Sequence, residues 1–140
     1  MTRINLIPVK ELSDQHLIAE YRELPRVIKQ KIDISKAPEK YCLGKGHVKW
    51  AKKHSLFCLD RYNQLCNEMV YRNFNISYGA WTLEEVYCMQ PPESIILSYK
   101  PNEKDIELSR SRIIEKIKQK PDWYRWTNRP RPDYVKDEGG

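Results

Sequence analysis

The sequence contains no apolar run near the roughly 20 residues that a membrane-spanning helix needs. It also contains no internal repeat, no low-complexity block and no linker between domains. The opening stretch, MTRINLIPVKELSD, lacks the long apolar segment of a signal peptide, because charged residues interrupt it. These absences predict a protein without a membrane segment, and we expect it in the cytoplasm.

Cysteine and histidine are too few and too scattered to indicate a metal centre. None of the four cysteines forms a C-x-x-C pair, and the three histidines fall at no recognised zinc-ligand spacing from them. These residues are Cys42, Cys58, Cys66, Cys88, His16, His47 and His54. The pattern predicts that the cysteines are small core residues, and it favours neither a metal site nor a disulfide framework.

The composition is that of a single basic globular domain. The chain has 140 residues, of which 40% are hydrophobic and 31% are charged, and this length suits one domain over residues 1–140. Its 25 lysines and arginines against 19 aspartates and glutamates give a net charge of +6. Such a balance favours a polyanionic partner, either nucleic acid or an acidic membrane surface.

The spacing of apolar residues predicts an all-α fold, a single compact domain of about three main helices with irregular connecting loops. The first helix is predicted over 13–24, capped by Ser13 or Asp14 and ended by Pro25, with a second short helix continuing to about residue 31. Longer helices are predicted over 47–72 and 102–120. The connections 33–46 and 76–99 are predicted to be irregular, and about the last ten residues to form a flexible tail.

Charged side chains cluster on the first predicted helix. His16, Glu20 and Glu23 are spaced i, i+4 and i+7, which places them on one helix face. The ordinary interpretation is a solvated face with charge pairs. Arg22 and Arg26 favour a second interpretation, because two like charges four residues apart repel each other unless an anion lies between them. An arginine pair of this kind suits a DNA phosphate backbone.

Arg26 has a further feature that favours a phosphate. It follows Pro25, at the predicted start of the second short helix, where backbone N–H groups have no partner within the helix. An anion bound at that point would contact both the guanidinium group and free N–H groups.

The two ends of the chain carry further candidate groups. Thr2 is small, so removal of Met1 is expected and would expose an α-amine with an ordinary pKa of about 7.7–8.0. Nearby arginines would lower this pKa, and a neutral amine can attack a sugar C1′ and form a Schiff base. The alternative is an ordinary N-terminal residue. At the other end, aromatic rings alternate with cations and could stack on bases or close the core, and we expect both, for different residues. This cluster comprises Trp123, Tyr124, Arg125, Trp126 and Arg129.

Three stretches carry a family resemblance. The opening block contains a Thr-Arg-x-Asn-Leu element and a D-Q-H-L-x-A-E-Y-R-E signature, matched by Thr2, Arg3, Asn5, Leu6, Asp14, Gln15, His16, Leu17, Ala19, Glu20, Tyr21, Arg22 and Glu23, with Arg26 beyond it. An L-G-x-G-H-V segment spans 43–48, and an E-K-I-x-Q-x-P-x-W-Y segment spans 115–124. Together these stretches resemble the pyrimidine-dimer DNA glycosylases of the T-even phage endonuclease V family.

The resemblance implies an all-α enzyme that excises cyclobutane pyrimidine dimers from double-stranded DNA and then nicks the abasic site. It implies no metal and no organic cofactor, a monomer without a protein partner, and the cytoplasm of a bacterial or phage-infected cell. Carried over, the Thr2 α-amine attacks C1′ to give a Schiff base, provided that Met1 is removed. Glu23 acts as general acid and base, and it promotes β-elimination.

The same resemblance implies a DNA-binding set. Arg3, Arg22 and Arg26 would bind backbone phosphates around the kinked lesion, and His16 would help to order the site. The set is completed by Gln15, Lys116, Trp123, Tyr124 and Arg125.

The chain departs from the family pattern at three places, which leaves the lesion open. The segment 27–34 is short, residues 49–53 read as a basic run, and the aromatic end continues as Arg125, Trp126 and Thr127. One alternative is the same scaffold acting on another damaged or modified base. A second is a non-catalytic DNA-binding relative, and a third is a basic RNA-associated helical domain.

Overall fold

The structure is all-α, as the hydrophobic periodicity predicts. A computed structural model describes residues 4–29, 32–76 and 97–133, and these residues contain four α-helices and no strand. A 3₁₀ turn, Val9–Glu11, precedes α1 (Asp14–Lys29), α2 (His47–Lys53), α3 (Ser55–Tyr71) and α4 (Glu103–Gln119). None of these helices is long and apolar enough to cross a lipid bilayer.

Several predictions concern residues outside the described ranges. Thr2, Arg3 and Cys88 are among them, as are most of the connection 76–99 and most of the expected C-terminal tail. The described part of the connection 33–46 has no helix or strand, which confirms that prediction. Cys58 and Cys66 are buried free thiols, as expected for core residues, and Cys42 is a half-buried free thiol.

Helix α1 begins where the sequence predicts and ends later. The Ser13 hydroxyl oxygen accepts a hydrogen bond from the His16 backbone N–H at 3.1 Å, so Ser13 caps the helix. The prediction that Pro25 ends this helix is wrong, because α1 continues through it to Lys29. Burial explains the continuation, since Val27 and the residue after it are buried and contribute about 1.5–3 kcal/mol each. This offsets the roughly 3 kcal/mol cost of an interior proline.

The single helix predicted over 47–72 is in fact two helices that meet at His54. His54 has φ −101° and ψ 50°, which is not helical, and its Nδ1 lies 2.8 Å from the carbonyl oxygen of Trp50. The Ser55 hydroxyl donates to the carbonyl oxygen of Lys52. Both side chains bind carbonyl groups of the preceding helix turn, and the His54 backbone N–H also donates to the Trp50 carbonyl oxygen at 3.0 Å. Side-chain hydrogen bonds of this kind compete with the backbone pattern, and the helix breaks here. The described residues therefore contain four helices where three main ones were predicted.

The core forms between α1 and α3, and α2 and α4 close its sides. Trp50 of α2 is fully buried, and it packs edge-on against Tyr41 and Tyr99 with ring centroids 4.9 and 5.0 Å apart. Helix α4 contributes Ile113 and Ile117. It begins with a capping box, in which the Asp105 N–H donates to the Asn102 side chain at 2.8 Å and the Asn102 N–H donates to the Asp105 carboxylate at 3.1 Å. The predicted helix over 102–120 is confirmed.

A buried ion pair fastens α1 to α3. The Arg61 Nε lies 2.6 Å from Oε2 of Glu20, and the two side chains are 4% and 0% exposed. The Asn5 side-chain amide donates to Oε1 of Glu20 at 2.8 Å, and a second guanidinium nitrogen of Arg61 donates to the Ile7 carbonyl oxygen. The N-terminal segment 4–7 is thereby held against both helices.

We expect substitution of Arg61 by Met to destabilise the fold by about 3–5 kcal/mol, because it leaves the Glu20 carboxylate buried and unpaired. The double variant Glu20→Gln, Arg61→Met should regain most of this loss. Urea unfolding measures both changes. The matched control is Arg112→Ala, which removes a surface pair with Glu115 whose side chains are 32% and 70% exposed and should cost less than about 1 kcal/mol. An Arg61→Met variant as stable as the control would contradict the assigned role.

Candidate functional site

The first half of α1 and the segment that follows α4 form one continuous surface. The Gln15 side chain joins them, because its Nε2 donates to the Trp123 carbonyl oxygen at 2.8 Å and its Oε1 accepts from the Arg125 N–H at 3.2 Å. The Asp14 backbone N–H donates to the Arg125 carbonyl oxygen at 2.6 Å. Gln15 therefore binds the backbone on both sides of Tyr124 and fixes the position of that ring.

The Tyr124 ring stacks on His16. The two centroids are 4.8 Å apart and the planes differ by 2°, while the Ser13 hydroxyl lies 2.8 Å from Nδ1 of His16. Trp123 packs edge-on against Tyr124 and stays 54% exposed. Tyr124 and Trp126 pack against the core, which confirms that part of the C-terminal cluster closes it. Trp123 remains the open aromatic face of the cluster.

His16 is neutral near pH 7. Burial, together with the smaller effect of the positive charge of Lys116 on α4, lowers its pKa from 6.5 to about 4. Lys116 is half-buried. Among the described residues it has no carboxylate partner, and its positive charge therefore adds to that of the surface. The neutral imidazole and the Tyr124 ring form a flat aromatic pair beside this charge.

A second set of buried contacts holds the C-terminal segment from the other side. The Asp14 carboxylate accepts from the Thr127 hydroxyl at 2.6 Å and from Arg72 at 2.9 Å. Glu68 accepts from Arg72 and from Arg129, with both nitrogen-to-oxygen distances 2.9 Å. The Glu68 pKa lies below its usual range because hydrogen bonds from the two arginines outweigh the opposing effect of burial. These contacts fix the segment that carries the exposed Trp123.

The second half of α1 presents the remaining predicted residues. Arg22 and Arg26 are exposed, and Glu23 between them is half-buried. The prediction that Arg26 lies at a helix start is wrong, because α1 is continuous and Arg26 occupies its last turn. No free N–H groups accompany it there, and the helix dipole at that end repels an anion. A phosphate at this point would be bound by guanidinium charge alone.

The three carboxylates of α1 differ in how they are paired. Asp14 forms an ion pair with Arg72, and Glu20 forms one with Arg61. Glu20 is fully buried, so it does not share an open face with His16 and Glu23 as the spacing predicts. Among the described residues, neither a hydrogen bond nor an ion pair engages Glu23, and the same is true of Arg22 and Arg26. Glu23 is therefore the carboxylate that α1 leaves available for chemistry.

Separate contacts hold the segment that leads to Thr2 and Arg3. The Ile4 N–H donates to Nε2 of His47 at 3.0 Å, and the Tyr41 hydroxyl donates to the Ile4 carbonyl oxygen at 2.7 Å. The Leu6 N–H donates to the Ser109 hydroxyl oxygen at 3.0 Å. Three different elements thus fix the chain immediately after its first three residues.

The basic run over 49–53 does not form a uniform patch. The Lys52 ammonium group is buried and donates to the Ile28 carbonyl oxygen at 2.8 Å, so it caps the end of α1. Burial lowers the Lys52 pKa. Lys53 lies 3.6 Å from Glu39, and Lys49 is exposed. Only part of this charge is directed to solvent.

Sequence reasoning missed some residues that support this site. Arg61 is one of them. The sequence did indicate it, because Arg61 lies on the apolar side of α3, with Cys58 and Leu65 at i−3 and i+4. A charged residue at such a position implies a buried partner. Tyr41 and Ser109 gave no comparable signal. Within the described ranges, histidine, cysteine and carboxylate side chains form no group of three that could hold a metal ion.

A sequence model of the pyrimidine dimer DNA glycosylase family matches residues 1–81, which is more than half of the chain. The chain belongs to this family. Membership makes the protein a DNA repair glycosylase, and DNA is its substrate. The matched range includes Glu23, Arg22, Arg26 and the His47 segment, and it confirms the suspected resemblance. The match tests no individual residue, so the roles of Glu23, Arg22 and Arg26 within it remain predictions, as do those of Lys116, Trp123 and Tyr124 beyond it.

We expect the free energy of unfolding to fall as the pH is lowered from 6.5 to about 4. In this interval the unfolded chain protonates His16 and the folded chain does not, so the unfolded state binds more protons. The full stability is present above pH 6.5. Replacing His16 by Gln should reduce this pH dependence in urea unfolding. Part of it should remain, because burial also lowers the His54 pKa. A variant that kept the full wild-type slope would contradict the low pKa of His16.

Proposed function

We propose that the protein is a bifunctional DNA glycosylase and abasic-site lyase that excises cyclobutane pyrimidine dimers. One observation carries the proposal: Glu23 is the α1 carboxylate without a partner among the described residues, and the exposed Arg22 and Arg26 lie beside it. The α-amine of Thr2, exposed by removal of Met1, is the proposed nucleophile. The enzyme acts as a monomer on double-stranded DNA and needs neither a metal nor an organic cofactor.

In the first step the Thr2 amine attacks C1′ of the 5′ nucleotide of the dimer. A bond forms between the amine nitrogen and C1′, and the bond between C1′ and the base nitrogen breaks, with its electron pair leaving on the base. The base remains attached to its neighbour through the cyclobutane ring. Opening of the sugar ring, with a proton delivered to O4′, gives the imine. An α-amine suits this role because its ordinary pKa of about 7.7–8.0 leaves a reactive neutral fraction at physiological pH.

In the second step the Glu23 carboxylate acts as a base. It removes a proton from C2′ of the imine, the bond between C3′ and its oxygen breaks, and the 3′ phosphate leaves. Water then hydrolyses the imine and releases the amine. Glu20 is fully buried and paired with Arg61, so it cannot reach a nucleotide, whereas Glu23 is only half-buried, which supports the assignment of this role to Glu23.

The remaining predicted residues would bind the DNA. Arg22 and Arg26 supply exposed guanidinium groups for phosphates beside Glu23. Arg3, which lies outside the described residues, is proposed to bind a further phosphate. The exposed Trp123 ring offers a stacking face, and the Lys116 and Arg125 charges add to the positive surface. The target nucleotide must leave the helical stack, and a damaged site costs less to open than an intact one.

The central experiment is borohydride trapping with protein whose N-terminus is verified as Thr2. We expect a covalent adduct with UV-irradiated duplex, mapping to Thr2, and no adduct with intact duplex. Glu23→Gln should abolish strand cleavage and leave DNA affinity nearly unchanged, because the carboxylate acts on the imine and not on the phosphates.

The matched control is Glu107→Gln, an exposed carboxylate on α4, which should cleave like the wild type. Cleavage at the wild-type rate by Glu23→Gln would contradict the role of Glu23. An adduct with a plain abasic site but none with irradiated DNA would mean that the substrate is another lesion. No adduct with either would leave a DNA-binding protein without this chemistry.

Arg26→Ala should weaken DNA binding at every sequence and reduce the slope of log K against log[salt] by about 0.9, the value for one phosphate contact. Fluorescence anisotropy across a salt series measures the slope. Lys104→Ala is the matched control, because Lys104 is exposed and lies about 18 Å along α4 from Lys116. An unchanged slope in Arg26→Ala would exclude a phosphate contact at this residue.

A further inference from the structure

Two side chains bind the backbone of Ile4, one at its N–H group and the other at its carbonyl oxygen. His47 accepts from its N–H at 3.0 Å, and the Tyr41 hydroxyl donates to its carbonyl oxygen at 2.7 Å. Ile4 is 1% exposed and is only two residues from Thr2. The position of any group at the N-terminus therefore depends on how firmly this residue is held.

The two hydrogen bonds of His47 define its tautomer. Its Nδ1 lies 2.8 Å from the Cys42 carbonyl oxygen, and a carbonyl can only accept, so Nδ1 carries the proton. Nε2 is then the unprotonated acceptor that the Ile4 N–H requires. The His47 ring is 1% exposed and lies edge-on to Tyr41, with centroids 5.6 Å apart. The imidazole is thus fixed in position and in protonation.

The turn before α2 explains why His47 reaches Ile4. Gly44 and Gly46 have φ of +78° and +92°, a conformation that side-chain-bearing residues rarely adopt. A Cβ on Gly46 would lie 3.0 Å from the Pro38 side chain. Tyr41 is fixed at its own backbone, where its N–H donates to the Tyr99 hydroxyl oxygen at 2.9 Å. Both side chains that hold Ile4 are therefore anchored in the core.

We infer that His47 and Tyr41 are positioning residues for the N-terminal amine. This inference rests on the proposed function, in which the amine attacks C1′. From a fixed residue 4 the chain to residue 2 spans at most about 7 Å. Without that anchor, the nearest residue that a described contact holds is Asn5, whose side-chain amide donates to Glu20 at 2.8 Å, and the span lengthens to about 10 Å. The amine would then explore about three times the volume, and an error of about 1 Å in its position can cost about 100-fold in rate.

The test compares two substitutions of His47 that differ in one hydrogen bond. Gln places an acceptor where Nε2 lies, so it can still bind the Ile4 N–H, whereas Asn reaches only as far as Nδ1. We expect His47→Asn to lower the single-turnover rate of imine trapping on a saturating abasic-site duplex by about tenfold or more. The dissociation constant for that duplex should change less than twofold. His47→Gln should recover most of the lost rate.

The matched control is His54→Asn. His54 is 4% exposed and packs against the Trp50 ring with centroids 5.2 Å apart, and among the described residues its imidazole contacts Trp50 and Tyr99 but not Ile4. Because both histidines are buried, we expect His54→Asn and His47→Asn each to lower the melting temperature, but His54→Asn should leave the trapping rate unchanged. If His47→Asn does not fold, Tyr41→Phe removes only the hydroxyl group that binds Ile4 and should lower the trapping rate several-fold.

The outcomes separate the two proposals. If the wild type with a verified Thr2 terminus forms no adduct, the amine mechanism fails, and positioning of the amine fails with it. If the wild type forms the adduct but folded His47→Asn or Tyr41→Phe reacts at the same rate, positioning alone is overturned. Equal rate losses in His47→Asn, His47→Gln and His54→Asn would also overturn it, because they would reflect stability only.

Discussion

The buried pair between Glu20 and Arg61 connects most of the structure that surrounds the site. It joins α1 to α3 at 2.6 Å, and the same two side chains also hold Asn5 and the Ile7 carbonyl oxygen of the N-terminal segment. Two opposite charges without access to water are stable only when each is fully hydrogen-bonded. The segment that leads to Thr2 supplies some of those hydrogen bonds, through the Asn5 amide and the Ile7 carbonyl oxygen. The buried ion pair therefore fixes the path of this segment.

Ion pairing divides five arginines of the described residues into two groups. Arg61, Arg72 and Arg129 are committed to buried or half-buried carboxylates. Arg22 and Arg26 are exposed and, among the described residues, unpaired. A net positive charge of +6 says only that a polyanion is a plausible partner. On α1, ion pairing thus leaves Arg22, Arg26 and Glu23 without a partner among the described residues.

Local pattern predicted the parts of the fold that local physics controls. The Ser13 cap and the helix over 102–120 depend on side chains within a few residues of each other, and both predictions are confirmed. Pro25 was misjudged because the burial of Val27 and Ile28 by distant residues offsets the local cost of proline. The break at His54 was missed because its imidazole binds the Trp50 carbonyl oxygen while the Trp50 ring enters a cluster built from three parts of the chain.

The sequence by itself determined the all-α class, the family and the identity of the candidate residues, since these depend on periodicity and on the order of residue types along the chain. Only the tertiary structure decided that Glu20 is a buried ion-pair partner, that Gln15 binds the backbone around Tyr124, and that His47 holds Ile4. The physical reason is distance along the chain. Glu20 and Arg61 are 41 residues apart, and His47 and Ile4 are 43 apart. No local spacing encodes such a pair, because its energy comes from burial that exists only once the chain has folded.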